Sequence, residues 1–377
     1  MQGGVGDYTW SLGSALSARG VDVHVLTGHE AGPSHLAPAG VANVYADISA
    51  WGWRLAGQVR TVLRDVQPDV LHIQYQSAAF DLHPAINLLP RALRKDPRPR
   101  ALAVTYHDLR TPYIFPKAGS LRWRANLALA QHSNAVLVTN AEDAIRLRQV
   151  QSLAGKLHEV PIGANIQPDP PAGFQRAAQR ARWGVGPDEL LLCYFGFLNE
   201  SKGGEELMLA LARLVKAGIP AHLLMIGGQV GASDPTNHAY LLRVQALVEE
   251  HGLSDRVRWT GFTAAAEVSA NFFASDIAVL PYRDGASFRR GSLMAAIAHS
   301  LPVISTEPLV TIPELHDGEN IRLVPVRSPE ALAEAATQLW QQPAQLSRLS
   351  QGARALAGQF SWDAIADRHL EIYRELV

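Results

Sequence analysis

The chain has 377 residues, and its 34 basic and 35 acidic side chains nearly cancel, which argues against a nucleic-acid-binding protein. Hydrophobic residues make up 47% and charged residues 18%, as in globular proteins, and no apolar run is long enough to cross a membrane. The single cysteine, Cys193, excludes a disulfide within the chain. With no visible secretion leader, these features predict a cytoplasmic protein.

Strand and helix patterns alternate along the first half of the chain, which predicts a parallel sheet with helical crossovers. The predicted elements are helices at 7–19 and 53–66 and strands at 21–27, 70–75, 101–106, 135–139 and 159–161. The glycine-rich segment 1–7 opens directly into a helix, although such a loop normally follows a buried strand. We therefore expect the first strand of this sheet to be missing, either through a truncated start, which we favour, or because the sheet lacks it.

A Pro- and Gln-rich stretch at 167–179 breaks the alternation and predicts a boundary between two domains. The first domain is predicted at 1–168, with a terminal helix at 361–377 packing back on it, and the second at 175–358. The second series comprises strands at 190–195, 222–226, 257–260, 276–281 and 302–306 and helices at 204–217, 238–251, 293–298, 329–341, 343–356 and 362–376. The two halves are predicted to be two similar α/β sheets that face each other.

A strand, a loop with the sequence Arg289-Arg290-Gly291-Ser292, a helix and a second strand make up residues 276–306. A loop that follows a parallel strand and opens a helix is where α/β sheets bind ligands. Backbone N–H groups and the positive end of the helix dipole face that position, and two guanidiniums add donors suited to phosphate. The sequence therefore predicts an anion site in this loop.

Several segments, taken together and in order, resemble the family 4 (group 1) retaining glycosyltransferases, which have the two-domain GT-B fold. The matching segments include Gly3-Gly4-Val5-Gly6, Thr105-Tyr106-His107-Asp108, Val160-Pro161-Ile162-Gly163, Ile226-Gly227-Gly228, Gly261-Phe262, Leu301-Pro302-Val303-Ile304 and Phe360-Ser361-Trp362. The resemblance implies two Rossmann-like α/β domains that face each other across a cleft. It also implies that a nucleotide-sugar donor lies mainly against the second domain and the acceptor mainly on the first.

In the second domain, the resemblance places Gly196 and Lys202 near the donor diphosphate, where an ammonium would neutralise charge on the leaving group. It places Gly261 and Phe262 near the nucleotide base. It also places Gly227 at a position where the backbone approaches the ligand. The alternatives are a surface lysine at the start of a helix and glycines that only form turns. We favour the functional interpretation of Lys202, because the helix dipole disfavours a cation at that position.

In the first domain, the resemblance implies that His107, at the end of a strand, hydrogen-bonds the donor sugar. His72, earlier in the same sheet, is interpreted as structural. Asp108 is either an acid on the acceptor side or a cap of a helix or turn, and the sequence does not distinguish these roles. Gly4 would let the first loop close on the phosphates and the acceptor, unless the glycines only form a turn.

The chain departs from the family pattern in the donor loop. The family carries two glutamates here, and the alignment puts Ser287 and Ala295 in their places, with Asp284 three residues out of register. Phe197 stands where the family has an arginine before the lysine. An alanine at 295 cannot accept hydrogen bonds from ribose hydroxyls, and Ser287 remains a candidate donor-binding residue.

We hypothesise that Arg289 or Arg290 replaces the arginine lost at Phe197 and binds the donor diphosphate. The backbone N–H groups that would assist belong to Gly291, Ser292 and Leu293. The alternative is that both arginines lie on the surface.

A group of basic residues at 91–100 gives the first half of the chain an excess of positive charge, with Arg122 and Arg124 nearby. This segment is either a solvated connection, which we favour, or a contact with an anionic membrane surface or an acidic acceptor. The second interpretation would make the protein peripheral to the inner face of the membrane.

The predicted function is transfer of a sugar from a UDP- or GDP-sugar to a saccharide, lipid-linked or small-molecule acceptor with retention of configuration. The nucleotide-sugar is a substrate, and no cofactor or metal is expected, because the family generally needs none and no Asp-x-Asp motif lies near the site. The alternative is a non-catalytic nucleotide-sugar-binding or scaffold protein on the same fold. An epimerase or a phosphorylase on this fold is less favoured, because the sequence lacks their characteristic segments.

Overall fold

The computed structural model describes residues 4–29, 43–109, 119–228 and 235–377. Glycine-rich residues 1–3 of the predicted first loop therefore lie outside the described residues. The chain divides into two compact units, Met1–Gly163 with Trp362–Val377, and Ala164–Ser361. None of the helices among the described residues has both the length and the apolar character that a membrane span requires.

Helices and strands alternate along most of the chain. The helices are α1 Gly4–Ser17, α2 Leu55–Val66, α3 Ala85–Leu93, α4 Gly119–His132, α5 Ala141–Arg148, α6 Arg176–Arg182, α7 Gly204–Lys216, α8 Pro235–Glu250, α9 Ala265–Ala274, α10 Gly291–Ala298, α11 Pro329–Gln341, α12 Pro343–Ala357 and α13 Trp362–Leu376. The strands are β1 His24–Gly28, β2 Asn43–Ile48, β3 Val70–Gln76, β4 Ala101–Asp108, β5 Ala135–Val138, β6 Leu157–Glu159, β7 Leu190–Phe195, β8 Ala221–Ile226, β9 Val257–Trp259, β10 Ile277–Leu280, β11 Val303–Thr306 and β12 Arg322–Val324.

The first unit holds two parallel sheets among the described residues. One has the order β1-β2 and the other the order β3-β4-β5-β6, with no ladder between β1 and β3. The sheets nevertheless share their hydrophobic cores, since Leu26 and Ile48 pack in one cluster with Ile73, while Val23 and Val70 pack in another. The expectation of a missing first strand stays a prediction.

Helix α13, which ends the chain, packs against α1 of the first unit. Arg19 follows α1 and forms an ion pair at 2.9 Å with Asp363 and another at 2.5 Å with Asp367. The ring of Trp362 lies so close to Gly163 that a Cβ at that glycine would be 2.7 Å from it. These contacts belong to the same unit and tie the end of the chain to its first 163 residues.

The second unit contains one six-stranded parallel sheet with the order β12-β11-β10-β7-β8-β9. Strands β7 and β10 are continuous apolar runs, and β7, β8, β10 and β11 are buried along nearly their whole length, as expected for a parallel sheet covered by helices. Helix α7 places Leu207, Leu211 and Leu214 on one buried face, following the spacing of an amphipathic helix. The chain order reverses between β7 and β10, which creates a topological switch point there.

Several elements differ from the sequence prediction. Helix α1 begins at Gly4 rather than at residue 7, strand β1 begins at His24 rather than at residue 21, and β6 ends at Glu159 rather than at residue 161. The prediction also missed short or weakly patterned elements: β2, β12, α3, α4, α5, α6 and α9. Helix α3 contains Pro90, which favours a helix end when only the sequence is considered.

Candidate functional site

The switch point of the second unit brings two loops together. Strands β7 and β10 are neighbours, with Leu192 paired to Ile277 and Cys193 to Ala278. Because both strands run in the same direction, the loops that follow them leave the same edge of the sheet. Ligands of open α/β sheets bind at this position, so the two loops define the candidate site.

Lys202 lies in the loop after β7, at the end of a short 3₁₀ turn, Glu200–Lys202. Its Nζ reaches back over the strand end, where a Cβ at Gly196 would be 3.0 Å from it. Gly196 has a φ of 115°, which strongly favours glycine, and its N–H donates to Ile226 O at 3.0 Å. Burial, followed by the nearby charge of Arg290, lowers the pKa of Lys202 to about 8.

Arg290 precedes the first turn of α10, in the loop after β10. Its guanidinium forms an ion pair with Asp284, and its Cζ lies 4.9 Å from the ring centroid of Tyr282. The hydroxyl of Tyr282 is in turn 2.7 Å from Ser292 Oγ. These contacts fix the Arg290 guanidinium, and its positive charge contributes, after burial, to the lowered pKa of Lys202. Asp284, which is out of register for a family glutamate, serves as the partner of the arginine.

The first turn of α10 provides fewer backbone donors than the sequence predicted. The N–H of Leu293 donates to Arg290 O at 2.9 Å, so this group already has a partner within the chain, and its role toward a donor stays a prediction. Gly291 and Ser292 remain as donors of the first turn, because an α-helix leaves its first N–H groups without internal partners. Ser287 accepts a hydrogen bond from the N–H of Arg289 at 3.3 Å. Ala295 is fully buried.

Phe197 follows the strand end of β7 and takes the place of the family arginine. Its side chain is 47% exposed, and a Cβ at Gly228 would lie 2.7 Å from its ring. The phenyl ring therefore lies directly against the backbone after β8, which only glycine permits. It contributes an apolar surface where an arginine would contribute charge.

Gly227 and Gly261 lie opposite each other in an isolated antiparallel bridge after β8 and β9. The N–H of Gly227 also donates to Thr260 Oγ1 at 3.0 Å. Both glycines have positive φ values, of 105° and 66°, so turn geometry alone accounts for their presence. Phe262 follows directly and is 83% exposed, which makes its ring an apolar platform at this edge of the sheet.

His107 lies near the end of β4 in the first unit and is 9% exposed. Burial lowers its pKa to about 4, with a further contribution from His369, so the imidazole is neutral at physiological pH. Its Nε2 lies 2.9 Å from Gln74 Oε1, and since the amide oxygen only accepts, Nε2 carries the proton. Nδ1 is therefore left as an acceptor. The ring also packs edge-on against Tyr8, with centroids 4.6 Å apart.

His72 forms part of the same buried group. Its Nδ1 is 2.5 Å from the hydroxyl of Tyr373, and its Nε2 is 2.8 Å from Thr105 Oγ1. His369, on α13, packs 5.6 Å from it, between ring centroids. Both nitrogens of His72 thus have partners within the unit, as expected for the structural role assigned to it.

Gly4 is the first residue of α1 and is exposed. A Cβ placed there would meet no other atom of the described residues within 4 Å. Packing within the structure therefore does not explain a glycine at this position. Asp108 ends β4, next to His107 in sequence.

The sequence did not predict the partners that position the site. Tyr282 and Asp284 orient Arg290, and Gln74 sets the tautomer of His107. Among these residues, only Asp284 was noticed in the sequence, because it is a carboxylate three residues from the position of a lost family glutamate. No cluster of three His, Cys, Asp or Glu side chains suited to a metal ion occurs in the described part of the chain.

Comparisons with known proteins find similarity to glycosyltransferase domains in both halves of the chain. Residues 3–163 match the family described as "Glycosyl transferase 4-like domain", and residues 189–342 match "Glycosyl transferases group 1". Each match falls within one structural unit and contains the candidate residues of that unit. Each half of the chain is thus similar to one of these two domain families.

Curated relatives are between a quarter and a third identical to the chain over the aligned regions. A D-inositol 3-phosphate glycosyltransferase of Kineococcus radiotolerans is 31% identical over 59% of this chain and 52% of its own length. A similar protein of Streptomyces bingchenggensis is 29% identical, over 56% and 46%. An alpha-D-kanosaminyltransferase of Streptomyces kanamyceticus is 26% identical, over 68% and 64%. The chain spans about half the length of the first of these relatives.

Solved structures establish the fold. Sucrose-phosphate synthase from Thermosynechococcus elongatus superposes with a TM-score of 0.72 at 24% identity, covering 99% of this chain and 94% of its own. Anabaena HepE in complex with UDP and glucose superposes with a TM-score of 0.72 at 18% identity, covering 99% and 96%. The prediction of two Rossmann-like α/β domains of the GT-B type is confirmed.

Proposed function

We propose that this chain, with its 4-like and group 1 glycosyltransferase domains, transfers a sugar from a nucleoside diphosphate sugar to an acceptor with retention of configuration. One observation carries the proposal. Lys202 and Arg290 lie close together at the switch point of the second unit, and no carboxylate pairs with the ammonium in the described residues. Asp284 offsets part of the Arg290 charge, and an anion bound beside both cations would relieve the repulsion that remains. A diphosphate is the anion proposed for the two loops, because a guanidinium, an ammonium and a helix N-terminus are donors suited to phosphate oxygens.

The proposed mechanism follows from the positive charge of Lys202 and Arg290. In the transition state the bond between the anomeric carbon and the diphosphate oxygen breaks, and negative charge grows on the phosphate. Lys202, Arg290 and the first turn of α10 would stabilise this charge. The acceptor oxygen forms its bond to the anomeric carbon on the same face, and its proton passes to the departing phosphate oxygen. This scheme preserves configuration and requires no protein carboxylate, which suits a site with Ser287 and Ala295 in place of the glutamates.

The exposed ring of Phe262 indicates where the nucleotide base would bind. An exposed phenyl ring beside the Gly227–Gly261 bridge offers a flat surface on which a base can stack. Its exposed position at the carboxyl edge of the sheet would give the nucleotide a contact that does not depend on the phosphates.

His107 is proposed to bind the donor sugar. Its unprotonated Nδ1 would accept a hydrogen bond from a sugar hydroxyl, while Gln74 holds Nε2–H. The lowered pKa of about 4 keeps this acceptor available over the physiological range. Gly4 would allow the loop before α1 to approach the same ligand.

The acceptor is proposed to be a saccharide, a lipid-linked sugar or a small molecule, and the reaction is proposed to need no metal and to occur in the cytoplasm. Contact with the inner face of the membrane would use the exposed cations Arg91, Arg94 and Lys95. Arg98 and Arg100 contribute less, because both form ion pairs with Asp69. D-inositol 3-phosphate, named in several relatives, is a reasonable first acceptor to try.

The test is to incubate the protein with radiolabelled UDP-glucose, UDP-N-acetylglucosamine or GDP-mannose, with and without D-inositol 3-phosphate or simple sugars. We expect label to appear in a product, or in free sugar through slow hydrolysis, and expect Lys202→Ala to abolish either reaction. Nuclear magnetic resonance of the product would then report the anomeric configuration. Failure of UDP and GDP to bind would overturn the proposal.

A second candidate is a non-catalytic nucleotide-sugar-binding protein. The observation that favours it is Ala295, a fully buried alanine at the place of the glutamate that would contact the donor ribose. Binding of UDP or GDP without transfer or hydrolysis of any donor would select this alternative.

A further inference from the structure

A single side chain, that of Arg283, joins the loop after β10 to the loop that carries Lys202. Its Nε donates to Glu206 Oε1 at 2.8 Å, its Nη1 donates to Glu200 Oε1 at 3.0 Å, and its Nη2 donates to Glu205. The side chain of Arg283 is 11% exposed and that of Glu206 is 9% exposed. Charge-assisted hydrogen bonds are strong when they are withdrawn from water in this way. One guanidinium thus holds three carboxylates that flank Lys202 in sequence.

The backbones of the two loops also touch on both sides of Lys202. The N–H of Arg283 donates to Ser201 O at 2.8 Å. On the other side, Gly203 has a φ of 70°, and a Cβ there would lie 1.9 Å from Pro281 O. A change in the position of Arg283 would therefore shift the backbone that carries Lys202.

The charged groups around Lys202 show how Arg283 affects the lysine. Carboxylates near a lysine ordinarily raise its pKa, and Glu200, Glu205 and Glu206 all lie within four residues of Lys202. The pKa of Lys202 is instead lowered to about 8, and its causes are burial and the charge of Arg290. The carboxylates are engaged with Arg283 and not with the ammonium.

We propose that Arg283 is a positioning residue that fixes the Lys202 loop and keeps three flanking glutamates away from the Lys202 ammonium, leaving it for the donor diphosphate. The identity of the anion rests on the proposed function. The effect of Arg283 on Lys202 does not, because it is a property of the protein without ligand. Arg283 itself acts through Lys202 and need not touch the donor.

The test compares Arg283→Met with a matched control, Arg243→Met. Arg243 donates to the same Glu205, at 3.1 Å, but its side chain is 56% exposed, and in the described part of the chain it contacts neither Glu200 nor Glu206. The pKa of Lys202 is measured by pH-dependent labelling with acetic anhydride and mass spectrometry, and UDP and GDP affinities by calorimetry. Arg283→Met is expected to raise the Lys202 pKa by about one unit and to weaken nucleotide binding about tenfold. Arg243→Met is expected to change neither.

A rescue experiment distinguishes this role from simple destabilisation. Adding Glu200→Gln, Glu205→Gln and Glu206→Gln to Arg283→Met removes the three carboxylates that are released, so the Lys202 pKa should return toward about 8. Arg283→Lys keeps the charge but loses the fork of donors, and is expected to give an intermediate pKa. If circular dichroism shows that Arg283→Met does not fold, the same measurements are made on Arg283→Lys.

An unchanged Lys202 pKa in Arg283→Met, or a raised pKa that the glutamines do not reverse, would overturn the proposal. Failure of the unsubstituted protein to bind UDP or GDP would count against the proposed function, while the labelling result would still decide the role of Arg283. The two failures are therefore distinguishable.

Discussion

The guanidinium of Arg290 is paired with the carboxylate of Asp284, six residues earlier in the same loop, and lies over the ring of Tyr282. The pair holds a positive charge close enough to Lys202 to lower the pKa of the lysine. Arg290 is thereby the better-supported of the two arginines proposed to bind the donor diphosphate. Its fixed position also reduces the conformational entropy that ligand binding would otherwise cost.

Arg290→Ala should weaken the binding of UDP or GDP by about tenfold or more, since one charge-assisted contact to phosphate is lost. Isothermal titration calorimetry measures the effect. Arg322→Ala is the matched control, because Arg322 forms a similar short-range pair with Asp317, at 2.9 Å, away from the switch point. Equal losses of affinity in the two variants would contradict the role assigned to Arg290.

Gly196→Ala tests the contact between the end of β7 and Lys202. The substitution imposes a strained φ of 115° on alanine and places a methyl group 3.0 Å from the ammonium. We expect a loss of about 1–3 kcal/mol in the free energy of unfolding, together with weaker nucleotide binding.

Gly252→Ala separates the two effects of that substitution. Gly252 has a φ of 64° and open space around a Cβ, so alanine there brings backbone strain without a contact to Lys202. It should lower stability in urea titrations and leave nucleotide affinity unchanged. A loss of affinity in Gly252→Ala that matched its loss of stability would show that strain alone explains the result at Gly196.

The fold was largely predictable because the central strands of the second unit are continuous apolar runs bounded by turns. Strand β7 was predicted at its observed bounds, and β8 within one residue, since both faces of each are buried. Strand β2 was missed because it is an edge strand with only one fully buried residue, Ile48. Helix α3 was missed because Pro90 is a signal for a break, yet tertiary packing of Ile86 and Leu89 retains the helix.

The site was only partly predictable, for a different physical reason. The positions of Lys202 and Arg290 followed from a resemblance and from a loop at the end of a parallel strand. The residues that orient them interact over long distances in sequence: Arg283 is 77 residues from Glu206 and 83 from Glu200. Such pairs leave no periodic pattern in one sequence, so only the folded chain reveals them.

Phe262→Ala tests the proposed stacking of the nucleotide base. Because the side chain is 83% exposed, its removal should leave the free energy of unfolding nearly unchanged. Loss of a stacking partner should weaken UDP or GDP binding by about 1–3 kcal/mol. Leu309→Ala is the control, since Leu309 is a 74% exposed apolar residue of the same unit. If Phe262→Ala binds UDP or GDP with undiminished affinity, the nucleotide base does not stack on this surface.

The buried histidines of the first unit predict how its stability depends on pH. Burial lowers the pKa of His107 and of His369 to about 4, and that of His72 well below the ordinary value of 6.5. A group whose pKa is depressed in the folded state takes up its proton first in the unfolded chain. Above about pH 6.5 these residues therefore do not change the stability. Between about pH 6.5 and 4 protonation favours the unfolded state, by up to about 3 kcal/mol for each of the two histidines near 4.

Urea titrations at a series of pH values, with hydrogen exchange to identify the unit that unfolds, measure this dependence. His369→Gln removes one titrating group from the buried cluster, so stability should fall less steeply between about pH 6.5 and 4, even if it is lower at neutral pH. His251→Gln is the control, because His251 is exposed in the other unit, and should leave the slope unchanged. A slope that His369→Gln does not alter would mean that burial of this imidazole does not determine the acid sensitivity of the unit.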